Sequence, residues 1–97
     1  MFRHVALFRF TAESTDAQRR AVIDALHALP STITELRAYD VSFDAGLVEG
    51  NWHASVVADF DDEEGWRTYT ADGEHQRILA ELIRPILAER AATQHTV

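Results

Sequence analysis

The chain has 97 residues, 46% of them hydrophobic, which fits a single globular domain over residues 1–97. Its formal net charge is -7, from 16 acidic residues against 9 basic ones, so nucleic acid and anionic membrane surfaces are not expected partners. The absence of cysteine excludes disulfides and thiolate catalysis, and it suits a cytoplasmic location.

The opening segment, residues 2–10, alternates between two kinds of side chain. One set mixes arginine with aliphatic residues, and the other consists of Phe2, His4, Ala6, Phe8 and Phe10. This period of two predicts a β-strand with its apolar face turned toward the core. His4 then points inward, where a buried imidazole needs a hydrogen-bond partner.

A helix is predicted next, because Thr15 and Gln18 have the spacing of a capping box. Its apolar stripe recurs at helical intervals and runs as far as Leu29. Pro30 is expected to end this helix, since the residue before a proline avoids the helical region.

Two further strands are predicted over residues 34–43 and 52–60. Glycine-containing turn sequences at residues 44–46 and 49–51 separate them. The third strand alternates as clearly as the first, with alanine, valine and aromatic residues on one side.

A run of four acidic residues at 61–64 predicts the start of a second helix, because carboxylates are favourable at a helix N-terminus. Trp66 and Tyr69 lie three residues apart and therefore share a face of this helix. Gly73 is expected to break it, and His75 opens a third helix.

The third helix is predicted from an apolar stripe that extends from Ile78 to Ile86. Pro85 is expected to stop or kink it. Residues 87–96 form a last strand in this interpretation, although their alternation is weak.

The order strand, helix, strand, strand, helix pair, strand predicts an α+β, ferredoxin-like sandwich. This βαββαβ plan has a four-stranded antiparallel sheet with helices on one face. The other face would expose Val5, Leu7 and Val57, so we expect a homodimer that covers it. Arg9, His53 and Asp59 are then expected to make polar contacts inside the dimer.

The order of motifs resembles a known family. His4 lies in an apolar first strand, residues 57–60 lead into an acidic helix start, and Trp66, Tyr69 and His75 follow. This resembles the stress-responsive dimeric α/β-barrel domain, called Dabb. The resemblance implies a ferredoxin-like protomer and a dimer whose two sheets form a barrel. Most members have no assigned reaction, and one plant member is a polyketide cyclase that needs no cofactor.

The resemblance to that cyclase implies catalytic roles for His75, Tyr69 and His4. Two positions depart from the cyclase: Ala54 stands where it has a third-strand pocket histidine, and Thr93 stands where it has an acid that steadies the catalytic histidine. A threonine hydroxyl orients an imidazole less well than a carboxylate does.

Each of these three side chains also has a purely structural interpretation. His4 fits a hydrogen-bonded core histidine, His75 fits a helix-capping residue, and Tyr69 fits a core aromatic residue. A metal site is not expected, because no histidine spacing typical of zinc is present.

Three functions remain open from the sequence. The first is a small-molecule pocket of unassigned activity between sheet and helices, and the second is a cofactor-free cyclase or isomerase acting on a carbonyl substrate. The third is a non-catalytic, stress-protective dimer with a filled interior. The first two predict a cavity of about 300 Å³ or more. Besides the three catalytic candidates, its predicted lining is Ala6, Phe8, Ala54, Val56, Trp66 and Ile78.

Overall fold

The computed structural model describes residues 1–97, which form one antiparallel sheet with three helices on one face. The strands are β1 (Phe2–Phe10), β2 (Ala38–Phe43), β3 (Ala54–Phe60) and β4 (Leu87–Thr96). The helices are α1 (Asp16–His27), α2 (Glu63–Ala71) and α3 (Gly73–Ile78). The strand order β2-β3-β1-β4 confirms the ferredoxin-like plan. None of the helices combines the length and apolarity that crossing a membrane requires.

The register of β1 decides which side chains share a face of the sheet. Ala6 lies opposite Val56 on one side and Ala92 on the other, and these residues face the helices. The predicted last strand is confirmed, because β4 pairs with β1 along almost its whole length. Its weak alternation reflects its position at the edge of the sheet, where most of its residues are exposed.

The predicted helix starts are confirmed by their capping bonds. The Thr15 hydroxyl accepts from the Gln18 backbone N–H at 3.1 Å, and the Gln18 side chain accepts from the Thr15 N–H at 2.8 Å. Asp62 caps α2 by accepting from the Gly65 N–H at 3.2 Å. Each cap satisfies backbone donors that the helix itself leaves unpaired.

The end of the first helix and the start of the second strand differ from the prediction. Helix α1 stops at His27, and Pro30 lies in a separate 3₁₀ turn over Leu29–Ser31. The second strand begins at 38 and not at 34, because the Ile33 N–H still bonds to the Leu29 carbonyl and keeps the chain turning. The third strand likewise begins two residues later than predicted, at Ala54.

The break between α2 and α3 lies at Asp72, one residue before the predicted glycine. The Asp72 backbone is extended, with a ψ of 134°, and its carboxylate accepts from the His75 N–H at 3.0 Å. Gly73 is therefore the first residue of α3. After α3 the chain continues as a π-helical turn over Leu79–Ile83 and a 3₁₀ turn over Arg84–Ile86, where Pro85 stops the helix as predicted.

Seventeen buried hydrophobic residues form a single cluster between the sheet and the helices. Its largest completely enclosed members include Phe60, Ile23, Leu26 and Ile78. Burial of this apolar area supplies most of the driving force for folding in a chain of this size.

The other face of the sheet carries half-buried aliphatic residues and separate polar pairs. Arg3 donates to Asp59 at 2.7 and 2.9 Å, and this hydrogen-bonded pairing lowers the pKa of the Asp59 carboxyl. His53 does not lie on this face, contrary to the prediction: its Nδ1 accepts from the Phe10 N–H at 2.9 Å, and its ring stacks on the buried Phe10 ring beside α1, with the centroids 6.0 Å apart. The Arg9 guanidinium lies over a tryptophan ring. The three predicted polar residues therefore make separate contacts within the protomer.

Candidate functional site

A cavity of about 230 Å³ lies between the helix-side face of the sheet and the helices. Seven of the residues predicted from the sequence line it: His4, Ala6, Phe8, Val56, Trp66, Tyr69 and His75. Ala54 and Ile78 do not border the cavity, because both pack inside the core cluster. The predicted volume of about 300 Å³ or more is therefore wrong, and the smaller cavity fits only a small ligand.

Seven more residues complete the lining, and sequence reasoning missed all of them. They come from α1, from the end of α2, from the turns after α3 and from β4: Leu26, Thr70, Leu79, Ile83, Arg84, Leu87 and Arg90. The register of the edge strand explains two of them. Arg90 lies opposite Phe8 and Leu87 opposite Phe10, so both turn toward the helices. That register is not readable from the weak alternation of residues 87–96.

His4 lies on the central strand and is 7% exposed. Its Nδ1 contacts the Gln94 amide nitrogen at 3.0 Å, since Gln94 stands opposite it on β4. Burial lowers the pKa of His4 to about 4, and the nearby charges of Arg90 and His75 act in the same direction. The neutral ring accepts from Gln94 through Nδ1 and so carries its hydrogen on Nε2, as a donor.

His75 lies in the first turn of α3, where its backbone N–H bonds to Asp72. Its side chain is 7% exposed, and its Nδ1 atom is buried without a hydrogen-bond partner. Burial lowers the pKa of His75. The Thr70 carbonyl and the Asp72 carboxylate oppose this shift, and Arg90 adds to it. A neutral imidazole with an unpartnered nitrogen has the capacity to accept a proton or a hydrogen bond.

Tyr69 is packed against His75, with the two ring centroids 4.2 Å apart. Its hydroxyl lies 3.0 Å from the hydroxyl of Tyr39, which belongs to β2 and does not line the cavity. Burial raises the pKa of Tyr69, while the hydrogen bond from Tyr39 and the charge of Arg90 oppose the rise. When Tyr39 donates, the proton of Tyr69 is free to bond to a ligand oxygen.

Trp66 forms one wall of the cavity. Its ring centroid lies 6.2 Å from that of His4 and 6.4 Å from that of Phe2. Trp52 lies elsewhere, with the Arg9 guanidinium 4.4 Å from the centre of its ring. The two tryptophans therefore do not form a common pocket wall.

Thr93 is not near His75. It lies opposite Val5 in the β1–β4 register and so shares the open face of the sheet, away from the helices. The carboxylate next to His75 is that of Asp72, which bonds to its backbone and raises the basicity of the ring. The chain holds no group of three or more His, Asp and Glu side chains positioned to bind a metal ion.

We expect acid to destabilise the fold through the two cavity histidines. An unfolded histidine titrates near pH 6.5, whereas His4 in the folded chain has a pKa of about 4. Between these values the unfolded chain binds protons that the folded chain does not, so stability falls as the pH drops below 6.5. The expected loss through His4 from pH 7.5 to 5 is about 2 kcal/mol.

Urea denaturation at both pH values measures this loss. A His4→Gln variant should show a smaller decrease between pH 7.5 and 5. His27 provides the matched control, because it is exposed at the end of α1, outside the cavity and away from the open face of the sheet; its His27→Gln variant should show the same decrease as the unchanged protein. Equal losses in the two variants would contradict the role of His4.

Comparisons with known proteins place this site in a family. Residues 2–96 match the family described as the Stress responsive A/B Barrel Domain, Dabb. No curated protein matches the sequence significantly. Among solved structures, a dimeric ferredoxin-like protein of unknown function from Thermobifida fusca is 44% identical, with a TM-score of 0.90. The match covers 99% of this chain and 90% of that one.

More distant structures share the fold. A dimeric protein of unknown function from Bacteroides fragilis is 23% identical, with a TM-score of 0.79, and the match covers 99% of this chain and 95% of that one. A hydroxynitrile lyase from Passiflora edulis is 12% identical, with a TM-score of 0.85, over 99% of this chain and 92% of that one. With the family pattern matched over residues 2–96 and a 44% identical relative of the same fold, the chain belongs to the Dabb family.

Proposed function

We propose that the chain is a homodimer in which each protomer binds a small apolar or carbonyl compound in the cavity between sheet and helices. The observation that supports this is the unfilled cavity of about 230 Å³, on which two neutral imidazoles and a phenol converge. Apolar walls with a few convergent polar groups are typical of small-ligand sites. A protein with a purely stabilising role would gain by filling this space with side chains.

Tryptophan fluorescence can test binding, because only one of the two tryptophans borders the cavity. In a Trp52→Phe variant the remaining emission comes from Trp66. Titration with acetophenone, a small aromatic ketone, should quench this emission in a saturable way. Filling the cavity with Ala6→Leu should abolish the saturable component. Quenching that is equal in both proteins and linear in concentration would contradict a pocket.

The proposed dimer covers the open face of the sheet. Val5, Leu7 and Val57 are half-buried there in the protomer, and a shallow apolar depression lies over Val5 and Leu7 beside Ala91. A second copy packed on this surface would remove it from water, usually across a two-fold axis. The Thermobifida fusca and Bacteroides fragilis relatives are both described as dimeric, which supports the proposal.

We expect Leu7→Glu to dissociate the dimer, because burying a carboxylate at the centre of that face carries a large desolvation cost. Sedimentation velocity at micromolar concentration should change from the mass of a dimer to that of a 10.9 kDa protomer. Leu47→Glu introduces the same charge in an exposed loop, where Leu47 is 86% exposed, and should leave the mass unchanged. If the protein without substitutions sediments as a monomer, the proposed dimer is wrong.

A second candidate function is cofactor-free acid–base chemistry on the bound carbonyl compound. It is favoured by the unpartnered Nδ1 atom of His75, which is buried beside the Tyr69 ring. His75 would remove a proton from the carbon next to the carbonyl group. The hydroxyl of Tyr69 and the Nε2–H of His4 would donate hydrogen bonds to the enolate oxygen that forms.

This mechanism requires no metal or cofactor, since the enolate charge is held by hydrogen bonds alone. The Passiflora edulis hydroxynitrile lyase shows that the fold is compatible with an enzyme. At 12% identity that likeness concerns the fold, and the support for chemistry in this chain comes from its own three side chains.

A further inference from the structure

We propose that the ligand of this cavity carries an anionic carboxylate or phosphate group, which Arg84 and Arg90 bind at the cavity mouth. This inference rests on the proposed small-molecule binding and names the chemical class of the ligand. Both arginines line the cavity and are exposed, so their guanidinium groups stand at its border with water.

The sign of the charge around the cavity is opposite to that of the whole chain. The chain has a net charge of -7 and 16 acidic residues, yet none of the 14 lining residues is Asp or Glu. The charged lining residues are Arg84 and Arg90 alone, because burial keeps the two histidines neutral near pH 7. An anion repelled by most of the surface would be attracted at this opening.

The two arginines have no carboxylate partner of their own. Seven salt bridges are present, and neither Arg84 nor Arg90 takes part in one. The acids nearest to them in sequence are bound elsewhere: Glu81 pairs with Arg77 at 2.9 Å, and Glu89 pairs with Arg9 at 3.7 Å on the opposite face of the sheet. Guanidinium groups bind carboxylate and phosphate oxygens in a bidentate manner and are free to do so here.

Arg90 also acts on the polar groups inside the cavity. It stands opposite Phe8 on the helix side of the sheet, and its positive charge lowers the pKa values of His4, His75 and Tyr69. An anion bound to Arg90 would therefore lie within electrostatic reach of all three. The apolar body of the ligand would then extend inward, between the Trp66 wall and the aliphatic residues.

Matched small aromatic compounds can test this inference. Benzoate and phenyl phosphate carry the anion, and benzamide is a neutral compound of nearly the same shape as benzoate. Binding is followed by Trp66 fluorescence in the Trp52→Phe protein at low salt. We expect at least one anion to bind about tenfold more tightly than benzamide, because hydrogen bonds to charged groups are stronger than neutral ones.

The double variant Arg84→Gln, Arg90→Gln should lose this preference and bind benzamide as before, which also shows that it is folded. Arg67→Gln removes the same charge from the exposed face of α2 and should keep the preference. Equal affinity for the anions and benzamide in the unchanged protein would overturn the anion site and leave the pocket intact. Binding of none of the three compounds would overturn both the anion site and the proposed binding function.

Discussion

Replacing His75 with asparagine is expected to lower any proton-transfer activity of the cavity by about 10²–10⁴-fold, the usual contribution of a positioned general base. The ring of His75 lies 4.2 Å from the Tyr69 ring, centroid to centroid, and its Nδ1 atom has no hydrogen-bond partner in the folded protein. Deuterium exchange into the methyl group of acetophenone, followed by NMR in heavy water, measures this step directly. The exchange needs no second substrate and no cofactor.

The control for His75→Asn is His27→Asn, which makes the same change at an exposed position at the end of α1, outside the cavity and away from the open face of the sheet. Tyr69→Phe should lower the exchange rate by a smaller factor, because His4 still donates to the enolate oxygen. Loss of exchange in the His27 variant would point to a general loss of structure. Exchange that persists in His75→Asn at the unchanged rate would remove His75 from the mechanism and leave the binding proposal as it stands.

The fold was predictable because its strongest patterns lie on its central elements. The alternation of residues 2–10 and 52–60 identifies the two inner strands of the sheet, and the Thr15 capping box fixes the start of α1. The helix and strand boundaries that differ from the predicted ones are set by local hydrogen bonds. Asp72 interrupts the helix pair before Gly73 because its side chain caps α3, and a capping carboxylate is not distinguishable from any other acid in a polar stretch.

The candidate site was only partly predictable, since its cavity also depends on an edge strand and on irregular helical turns. His4, Tyr69 and His75 line one cavity, and their catalytic roles stay a prediction. Arg90 borders the cavity because it lies opposite Phe8 in the sheet. Arg84 borders it because the chain continues after α3 through a π-helical turn. The register of an edge strand is not visible in its sequence pattern. A π-helical turn has no residue pattern that distinguishes it from an ordinary helix or loop.

Phe60→Ala is expected to lower the free energy of unfolding by about 3–5 kcal/mol, the usual cost of removing a buried aromatic ring from a core. Phe60 is completely buried, and its ring centroid lies 5.5 Å from that of Tyr69. It also packs closely against α2, because a Cβ atom at Gly65 would stand 3.1 Å from the Phe60 Cβ. Its removal would leave a void that these rigid neighbours cannot close.

Urea denaturation at one fixed protomer concentration measures this loss, since dimer formation makes stability depend on concentration. Phe43→Ala is the matched control: Phe43 is 36% exposed at the end of β2, and its removal should cost much less. Phe60 closes β3 two residues before the Asp62 cap, so the void lies where the sheet positions α2 and Tyr69. A Phe60→Ala protein as stable as Phe43→Ala would show that α2 is held by other contacts, and the rigid placement of Tyr69 over the cavity would then need another cause.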